Sequence, residues 1–243
     1  NSRIKREVMI CVPLEVSSIE RKALFDAVSG AKKIYIIEEG RAAIIGSGIN
    51  ISQPEGNMVV DIGGGSTDIA ILSLDEIIAS KSIKIAGNTF DEDIVNYVKR
   101  KYGLLIGDRT AEKIKKELAT AIPESNPEKM DIKGRDLAEG IPKTIEVNSN
   151  EIYEAIEDSL YQIVNSSKEV LEKCPPELAA DILDNGIVMT GGGSLIRNFI
   201  EMMEKEIGIK VYLAENPLDS VVLGGGAAFD NKKLLKTLQM REN

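Results

Sequence analysis

The stretch Asp61-Ile62-Gly63-Gly64-Gly65-Ser66-Thr67-Asp68 decides how the chain is read. Met58-Val59-Val60 precedes it and Ile69-Ala70-Ile71-Leu72 follows it, so two apolar, β-rich runs are joined by a glycine turn, which predicts a β-hairpin. Glycines in such a turn let backbone N–H groups crowd around a polyphosphate without interference from a Cβ. The hydroxyls of Ser66 and Thr67 can donate to phosphate or to an attacking water. Asp61, at the end of a buried strand, is placed to hold Mg²⁺ through water, because Mg²⁺ takes few carboxylates and keeps its hydration. The alternative is a plain glycine-rich hairpin; the flanking Asp61, Ser66 and Asp68 favour phosphate binding.

Working outward, Glu7 to Val12 is an apolar run stopped by Pro13, a strand by pattern. A helix capped by Ser17 or Ser18 runs to about Val28. A second strand, Ile34 to Ile37, leads into Glu38-Glu39-Gly40, and Ala42 to Gly48 reads as a short buried helix of small residues. This alternation predicts an α/β fold, a parallel or mixed sheet covered by helices. Beyond the hairpin, Ser82 to Ile85 predicts a third strand, Thr89 with Glu92 a capping box opening a helix to Gly103, and Thr110 to Ala121 a further helix. Residues 122–148 predict loops with one or two edge strands. Asn148 with Glu151 opens a long helix to about Lys173, stopped by Pro175-Pro176. Then come a strand at Gly186 to Met189, a helix to about Glu206, a strand at Val211 to Leu213 and a helix from Pro217 to Ala228.

Other segments carry weaker chemical signals. Thr190-Gly191-Gly192-Gly193-Ser194 is a second glycine turn, from strand into helix, where a ligand can approach the backbone. Taken alone it reads as a tight connection, and it is not a dinucleotide fingerprint because Ile196 stands where a third glycine is required. Glu112, Lys115, Lys116 and Ala119 share one helix face, by spacing a solvated face with an internal ion pair. A carboxylate such as Glu39, closing a strand beside a phosphate site, can orient a water for in-line attack, although a favourable helix-dipole contact is the commoner role. No GxxxxGK[ST] sequence occurs, which excludes a P-loop NTPase.

Composition removes several function classes. Among 243 residues there is no His, which rules out Ser-His-Asp and Cys-His catalysis and His-containing zinc sites. The two cysteines lack CxxC partners, so a disulfide framework is excluded and a reduced cytosolic protein expected. A net charge of -9 argues against a nucleic-acid partner; Lys32-Lys33, Lys99-Arg100-Lys101 and Lys232-Lys233 read as solvated helix ends. No apolar stretch approaches the roughly 20 residues of a membrane-spanning helix.

Five segments, in this order, resemble the MreB family, the bacterial actins: Ile36-Ile37-Glu38-Glu39 with Ala42-Ala43-Ile44-Ile45-Gly46; Gly56 to Thr67; Ile106-Gly107-Asp108-Arg109-Thr110-Ala111-Glu112; Cys174-Pro175-Pro176-Glu177-Leu178-Ala179; and Thr190 to Leu195. The resemblance implies the actin, Hsp70 and sugar-kinase superfold, ribonuclease-H-like mixed sheets flanked by helices with a small inserted subdomain. ATP with Mg²⁺ would lie in a cleft between two halves. It implies Gly63, Gly64, Gly65, Ser66 and Thr67 as a phosphate loop, Asp61 as the Mg²⁺-water ligand, and Glu39 as the residue that positions the hydrolytic water with Ser66. Glu112, Lys115 and Lys116 would line the ribose and adenine side, and Gly191, Gly192, Gly193 and Ser194 the adenosine turn.

The same resemblance divides the chain into residues 1–48 as the remainder of a first half, 49–89 with 157–235 as the second-half core, 90–156 as the insertion, and 236–243 as a tail. It implies self-assembly into filaments that work with the cell-wall elongation machinery at the inner face of the cytoplasmic membrane. Three departures stand out. Ser66 replaces the usual Thr; Gly40-Arg41 replaces Pro-Met, an exchange expected to loosen the segment that aims Glu39. The family's first phosphate loop, Asp-Leu-Gly-Thr, belongs roughly 90 to 100 residues before the matching start, so with Asn1 opening the chain close to a core strand the sequence reads as a piece of a longer one. Alternatives within the superfold are a non-hydrolysing structural paralogue, an Hsp70-like chaperone ATPase, which needs a substrate-binding domain after the core, and a kinase, which needs an acceptor pocket.

Overall fold

The structure, a computed structural model, describes residues 7–236 and 238–242; the extremities of the expected first-half segment and tail lie outside the described residues. In chain order the elements are β1 (Glu7–Val12), α1 (Ser18–Ala27), β2 (Lys33–Glu38), α2 (Glu39–Gly46), β3 (Asn57–Ile62), β4 (Thr67–Ser73), β5 (Glu76–Ile83), α3 (Gly87–Tyr102), β6 (Leu104–Leu105), α4 (Asp108–Leu118), β7 (Lys129–Asp136), β8 (Pro142–Asn148), α5 (Ser149–Glu172), α6 (Pro176–Asn185), β9 (Ile187–Thr190), α7 (Phe199–Ile207), β10 (Val211–Leu213), α8 (Ser220–Asp230), α9 (Lys232–Leu235) and β11 (Gln239–Glu242).

The five-stranded sheet β10-β9-β3-β4-β5 is the centre of the molecule. Every residue of β3 and β4 is buried, as the continuous apolar runs on either side of the glycine turn predict for strands covered on both faces. β3 pairs antiparallel with β4 and parallel with β9, so the hairpin lies beside a crossover strand. The third strand begins earlier than predicted, at Glu76, and ends at Ile83. Helix α3 begins at Gly87 rather than at a Thr89–Glu92 box; the Thr89 hydroxyl instead receives the Ala86 N–H at 3.3 Å. The Asn148 box is present: Asn148 Oδ1 accepts from the Glu151 N–H at 3.2 Å and Glu151 Oε2 accepts from the Asn148 N–H at 2.9 Å.

Residues 122–148 are more ordered than predicted, because β7 and β8 pair with each other over seven positions. Together with β6 they form a small sheet whose buried Ile132 and Val147 join the same core as Ile62, Phe90, Ile114 and Ile152. The expected insertion boundaries at 90 and 156 therefore fall inside α3 and α5, within one continuous core. Pro175-Pro176 ends α5 and also starts α6, with Pro176 at the first helical position where a missing N–H is harmless.

Within the expected tail, residues 239–242 form a strand. β11 pairs antiparallel with β2 in a sheet of order β1-β2-β11, and Ala228, Leu234 and Leu238 share a core with Ile37 and Ala42. The end of the expected second-half segment thus belongs with the first sheet, because its apolar positions are buried there. Helices α2 and α8 approach at glycines: a Cβ on Gly224 would lie 1.7 Å from the Ala42 carbonyl oxygen and one on Gly46 1.8 Å from that of Ser220. Gly224→Ala is expected to lower stability by about 2–4 kcal/mol, since backbone rather than a movable side chain must give way. Denaturant unfolding of the variant checks this; a loss below about 0.5 kcal/mol would show that the helices slide apart freely.

Candidate functional site

β3 and β9 run side by side with Asp61 opposite Thr190, so both glycine turns leave the sheet at one level. Between them opens a cleft with a cavity of about 1010 Å³. Its walls are Pro13 and Glu39; Asp61 and Gly63 to Ser66; Gly87, Asn88 and Asp91; Asp108, Arg109, Glu112, Lys115, Lys116 and Ala119; Gly191 to Gly193 and Leu195 to Arg197; and Pro217, Leu218 and Val221.

The first glycine loop is held by its carbonyls. Gly87 N–H donates to the Gly63 carbonyl at 3.0 Å and Asn88 N–H to that of Gly64 at 2.8 Å, so the first amides of α3, which a helix leaves unpaired, are satisfied by the loop. Among the described residues nothing ties down the Gly64 and Gly65 N–H groups, which are left for an anion. Ser66 Oγ donates to Asp68 Oδ2 at 3.2 Å, and Asp68 Oδ1 accepts the Leu14 N–H at 2.9 Å, fastening the loop after β1 to the hairpin.

Two sequence-predicted contacts face elsewhere. The Thr67 side chain is fully buried and its hydroxyl donates to the Ile85 carbonyl at 2.6 Å; Ser194 is buried with its hydroxyl donating to Gly191 at 2.6 Å. Both hydroxyls are spent on the fold, and neither residue lines the cleft. Gly191, Gly192 and Gly193 do line it, in a turn pinned by Gly191 N–H and Thr190 Oγ1 on the Pro217 carbonyl at 2.8 and 3.0 Å. On α4, Lys116 and Glu112 form the internal ion pair expected from spacing, at 2.7 Å and largely exposed. Lys115 is different: its ammonium is mostly buried, 2.7 Å from both Asp91 Oδ2 and the Gly87 carbonyl.

Several lining residues carried no signal in the sequence. Asp91 is simply a polar position on an amphipathic helix. Leu195, Ile196 and Arg197 follow the second glycine turn directly and could have been found by extending it; Arg197 caps the end of α4 through the Leu118 carbonyl at 3.0 Å and pairs with Glu128 at 2.9 Å. The Gly40-Arg41 pair lies in the first turn of α2. Gly40 is buried, and Arg41 lies 3.2 Å from Glu38 within the first turn of α2, where Glu39 is the first helical residue.

Charge is concentrated at the bottom of the cleft. Burial, then the neighbouring Glu39 and Asp68, push the Asp61 carboxyl up to about 7. Burial and Asp68 likewise push Glu39 up to about 7, against a small opposing pull from Lys84. Carboxylates crowded in this way fit a divalent cation that offsets their charge. No group of three or more acidic, His or Cys side chains among the described residues makes a protein cage, so the fit is to an ion held mostly by water and ligand oxygens, as Mg²⁺ prefers.

A family model described as MreB/Mbl protein matches residues 1–237. The chain belongs to the MreB/Mbl family. It is 49% identical over 229 residues to the cell shape-determining protein Mbl of Bacillus subtilis, covering 93% of this chain and 69% of that one. It is 47% identical over 225 residues to the cell shape-determining protein MreB of Escherichia coli K12, covering 92% and 65%. This family member therefore spans about two thirds of the length of those relatives. Among solved structures it resembles MreB5 of Spiroplasma citri bound to ADP, with a TM-score of 0.89 at 38% identity over 96% of this chain and 70% of that one, and the same protein bound to AMPPNP, with a TM-score of 0.88. The MamK double helical filament, at 21% identity and a TM-score of 0.78, adds the same actin-like fold.

For this MreB/Mbl-family chain the buried carboxylates set a pH dependence. Their folded-state values lie above those of the unfolded chain, so the native state holds their protons longer and stability declines as pH rises from about 4 toward 7. Asp136, held down to about 2 by Lys143 and by the Glu139 and Ala138 amides, acts in a lower window. Asp61→Asn is expected to flatten the decline between pH 5 and 7.5 and to stabilise the ligand-free protein at pH 7.5 by about 1–3 kcal/mol. Melting curves across that range check it; an unchanged slope would show that Asp61 is not the charge concerned.

Proposed function

We propose that this chain binds ATP with Mg²⁺ in the cleft between its two glycine turns and hydrolyses it, as part of a filament-forming protein that directs cell shape. The observation carrying this reading is the geometry of the cleft floor. Free amides of Gly64 and Gly65, the Ser66 hydroxyl, buried Asp61 and Glu39 all line one cavity, opposite the Gly191–Gly193 turn. Family membership supports it, as does the likeness to MreB5 solved with ADP and with AMPPNP.

When bound, MgATP supplies the γ-phosphoryl group and the positive charge that offsets the carboxylates. Asp61 would hold the hydrated ion from the end of β3. The Gly64 and Gly65 amides and Ser66 would grip phosphate oxygens, with positioned dipoles in place of solvent. Glu39, half-buried and titrating near neutrality, would accept a hydrogen bond from the attacking water and align it with Ser66; a base poised near the working pH is effective at this task. Glu112 and Lys116 would face the sugar and base, while the Lys115 ammonium, expected there as well, is taken up by Asp91 and the Gly87 carbonyl; Gly191 to Gly193 would let the nucleoside lie against backbone. Asp68 keeps Ser66 in place from below.

We extend the reading to self-association into filaments and to work with the cell-wall elongation machinery in the cytoplasm, at the inner face of the membrane. The names of the relatives, cell shape-determining proteins, support the link to cell shape, and the likeness in fold to a protein solved as a double helical filament accords with self-association. No helix among the described residues is long and apolar enough to cross a membrane, and the proposal is of association with the membrane face. Nucleic acid has no part in it.

Glu39→Ala in the whole protein is expected to cut ATP turnover by about 10²-fold or more while ADP affinity changes by less than about threefold. Turnover that survives the substitution removes Glu39 from the mechanism. Sedimentation with and without MgATP tests assembly: a nucleotide-dependent pellet is expected, and its absence across Mg²⁺ concentrations and with anionic vesicles would defeat the filament reading while leaving nucleotide binding intact.

A further inference from the structure

The residue with the least obvious reason to be where it is lies on α3. Asp91 is largely buried, its side chain 17% exposed, and Oδ1 is sealed from solvent without a hydrogen-bond partner among the described residues. Burial pushes its carboxyl above the usual range despite the adjacent ammonium. A buried carboxylate with one oxygen unsatisfied costs stability that an amide or apolar side chain would not. What the fold obtains for that cost is one short contact, 2.7 Å to Lys115 Nζ.

Lys115 transmits the contact further. Its ammonium also donates to the Gly87 carbonyl at 2.7 Å. The Gly87 N–H donates to the Gly63 carbonyl, and the Asn88 N–H to that of Gly64. A hydrogen-bonded path therefore runs from Asp91 through Lys115 and the first residues of α3 to the two peptides whose orientation decides where the Gly64 and Gly65 amides point. There is little slack at the joint, because a Cβ on Gly87 would meet the Gly63 carbonyl at 3.2 Å and Lys115 Nζ at 3.6 Å.

We propose that Asp91 is a positioning residue for the phosphate loop: by holding Lys115 against the Gly87 carbonyl it keeps the Gly63–Gly64 carbonyls anchored and the loop amides turned toward the cleft. This rests on the nucleotide reading above and deepens it. The ligand group that feels Asp91 is the phosphate chain, not the nucleoside. Removing the carboxylate leaves Lys115 free to swing and the α3 terminus free to shift, so binding of phosphate-bearing ligands weakens while adenosine, which does not touch the loop, is unaffected.

Asp91→Asn preserves shape and removes the charge; Lys115→Met removes the other partner. In the whole protein, with folding checked by melting temperature, calorimetry with MgADP and with adenosine reads the split. Asp91→Asn is expected to weaken MgADP roughly tenfold, the scale of one charge-assisted hydrogen bond, and to change adenosine binding by less than about twofold. Combined with Lys115→Met it should add nothing to that variant's loss of MgADP affinity, because both act on one path. Equal weakening of adenosine and MgADP would place Asp91 at the sugar instead and overturn the proposal. Unchanged affinity for both would reduce the pair to a structural cross-link. If the unsubstituted protein binds no MgADP, the nucleotide reading itself falls, and this inference with it, which separates that failure from the other two.

Discussion

Everything at the cleft depends on how closely the second glycine turn is pressed against the end of β3. A Cβ on Gly191 would lie 2.3 Å from the Ile62 carbonyl oxygen, and one on Gly193 would lie 2.3 Å from Ile62 Cγ2. Gly191 also has φ near +80°, which a side chain disfavours. These glycines are therefore required by chain-on-chain contact before any ligand is considered. From that contact the rest follows in order. The turn holds the Pro217 carbonyl through Gly191 and Thr190, which fixes the approach to α8. Helix α8 lies on α2 at Gly224 and Gly46, and α2 begins with Glu39. The second glycine turn and the carboxylate across the cleft from it are thus linked through one continuous set of close backbone contacts.

Much of this fold is legible in the sequence because its central strands are buried on both faces and so appear as unbroken apolar runs, Met58 to Ile62 and Ile69 to Leu72. Asn148 with Glu151 is legible for a different reason, a local reciprocal cap that needs no tertiary information. The β7–β8 hairpin is legible only in part, as the one or two edge strands expected within residues 122–148. It alternates weakly apolar and charged positions, with Ile132 and Val147 buried in the core and Met130 and Ile145 packed against it, and its solvent side is carried by ion pairs such as Lys129 with Glu146. The C-terminal strand is hidden for a related reason: its place is set by an edge of β2 lying about 200 residues earlier in the chain, and no local pattern announces a long-range partner.

At the site, residue types and spacing singled out the first glycine turn with Asp61; the second turn and Glu39 entered through the family resemblance, and neither source told which hydroxyls would be free. Thr67 and Ser194 adjoin glycine turns and look alike to a reader of sequence, yet each is turned inward and bonded to a carbonyl. Ser66 ends the turn and lines the cleft, whereas Thr67 opens the fully buried strand β4 and its hydroxyl is spent on the Ile85 carbonyl. Asp91 and Arg197 escaped because their partners are 24 and 78 or more residues away in sequence, Lys115 for the first and the end of α4 for the second.

The distribution of satisfied and unsatisfied carboxylates carries the functional argument furthest. Away from the cleft several acids are well compensated. Asp136 has Lys143 and two backbone amides, and Glu151 has Lys101, Tyr102 and its own N-cap. Along the cleft others are not. Glu39 and Asp61 are crowded and raised toward neutrality, and Asp91 keeps one oxygen without a donor. Next to Glu39, by contrast, Glu38 and Arg41 are paired with each other at 3.2 Å, and the buried Ser82 hydroxyl, without a hydrogen-bond partner among the described residues, stands opposite Asp68 in the β4–β5 register. Glu39, Asp61 and Asp91, three incompletely compensated acids along one cavity, mark a place where stability has been given up. Such a cavity gains most from a ligand bringing a cation to the carboxylates and acceptor oxygens to the idle amides, which is what a metal–polyphosphate supplies and a neutral metabolite does not.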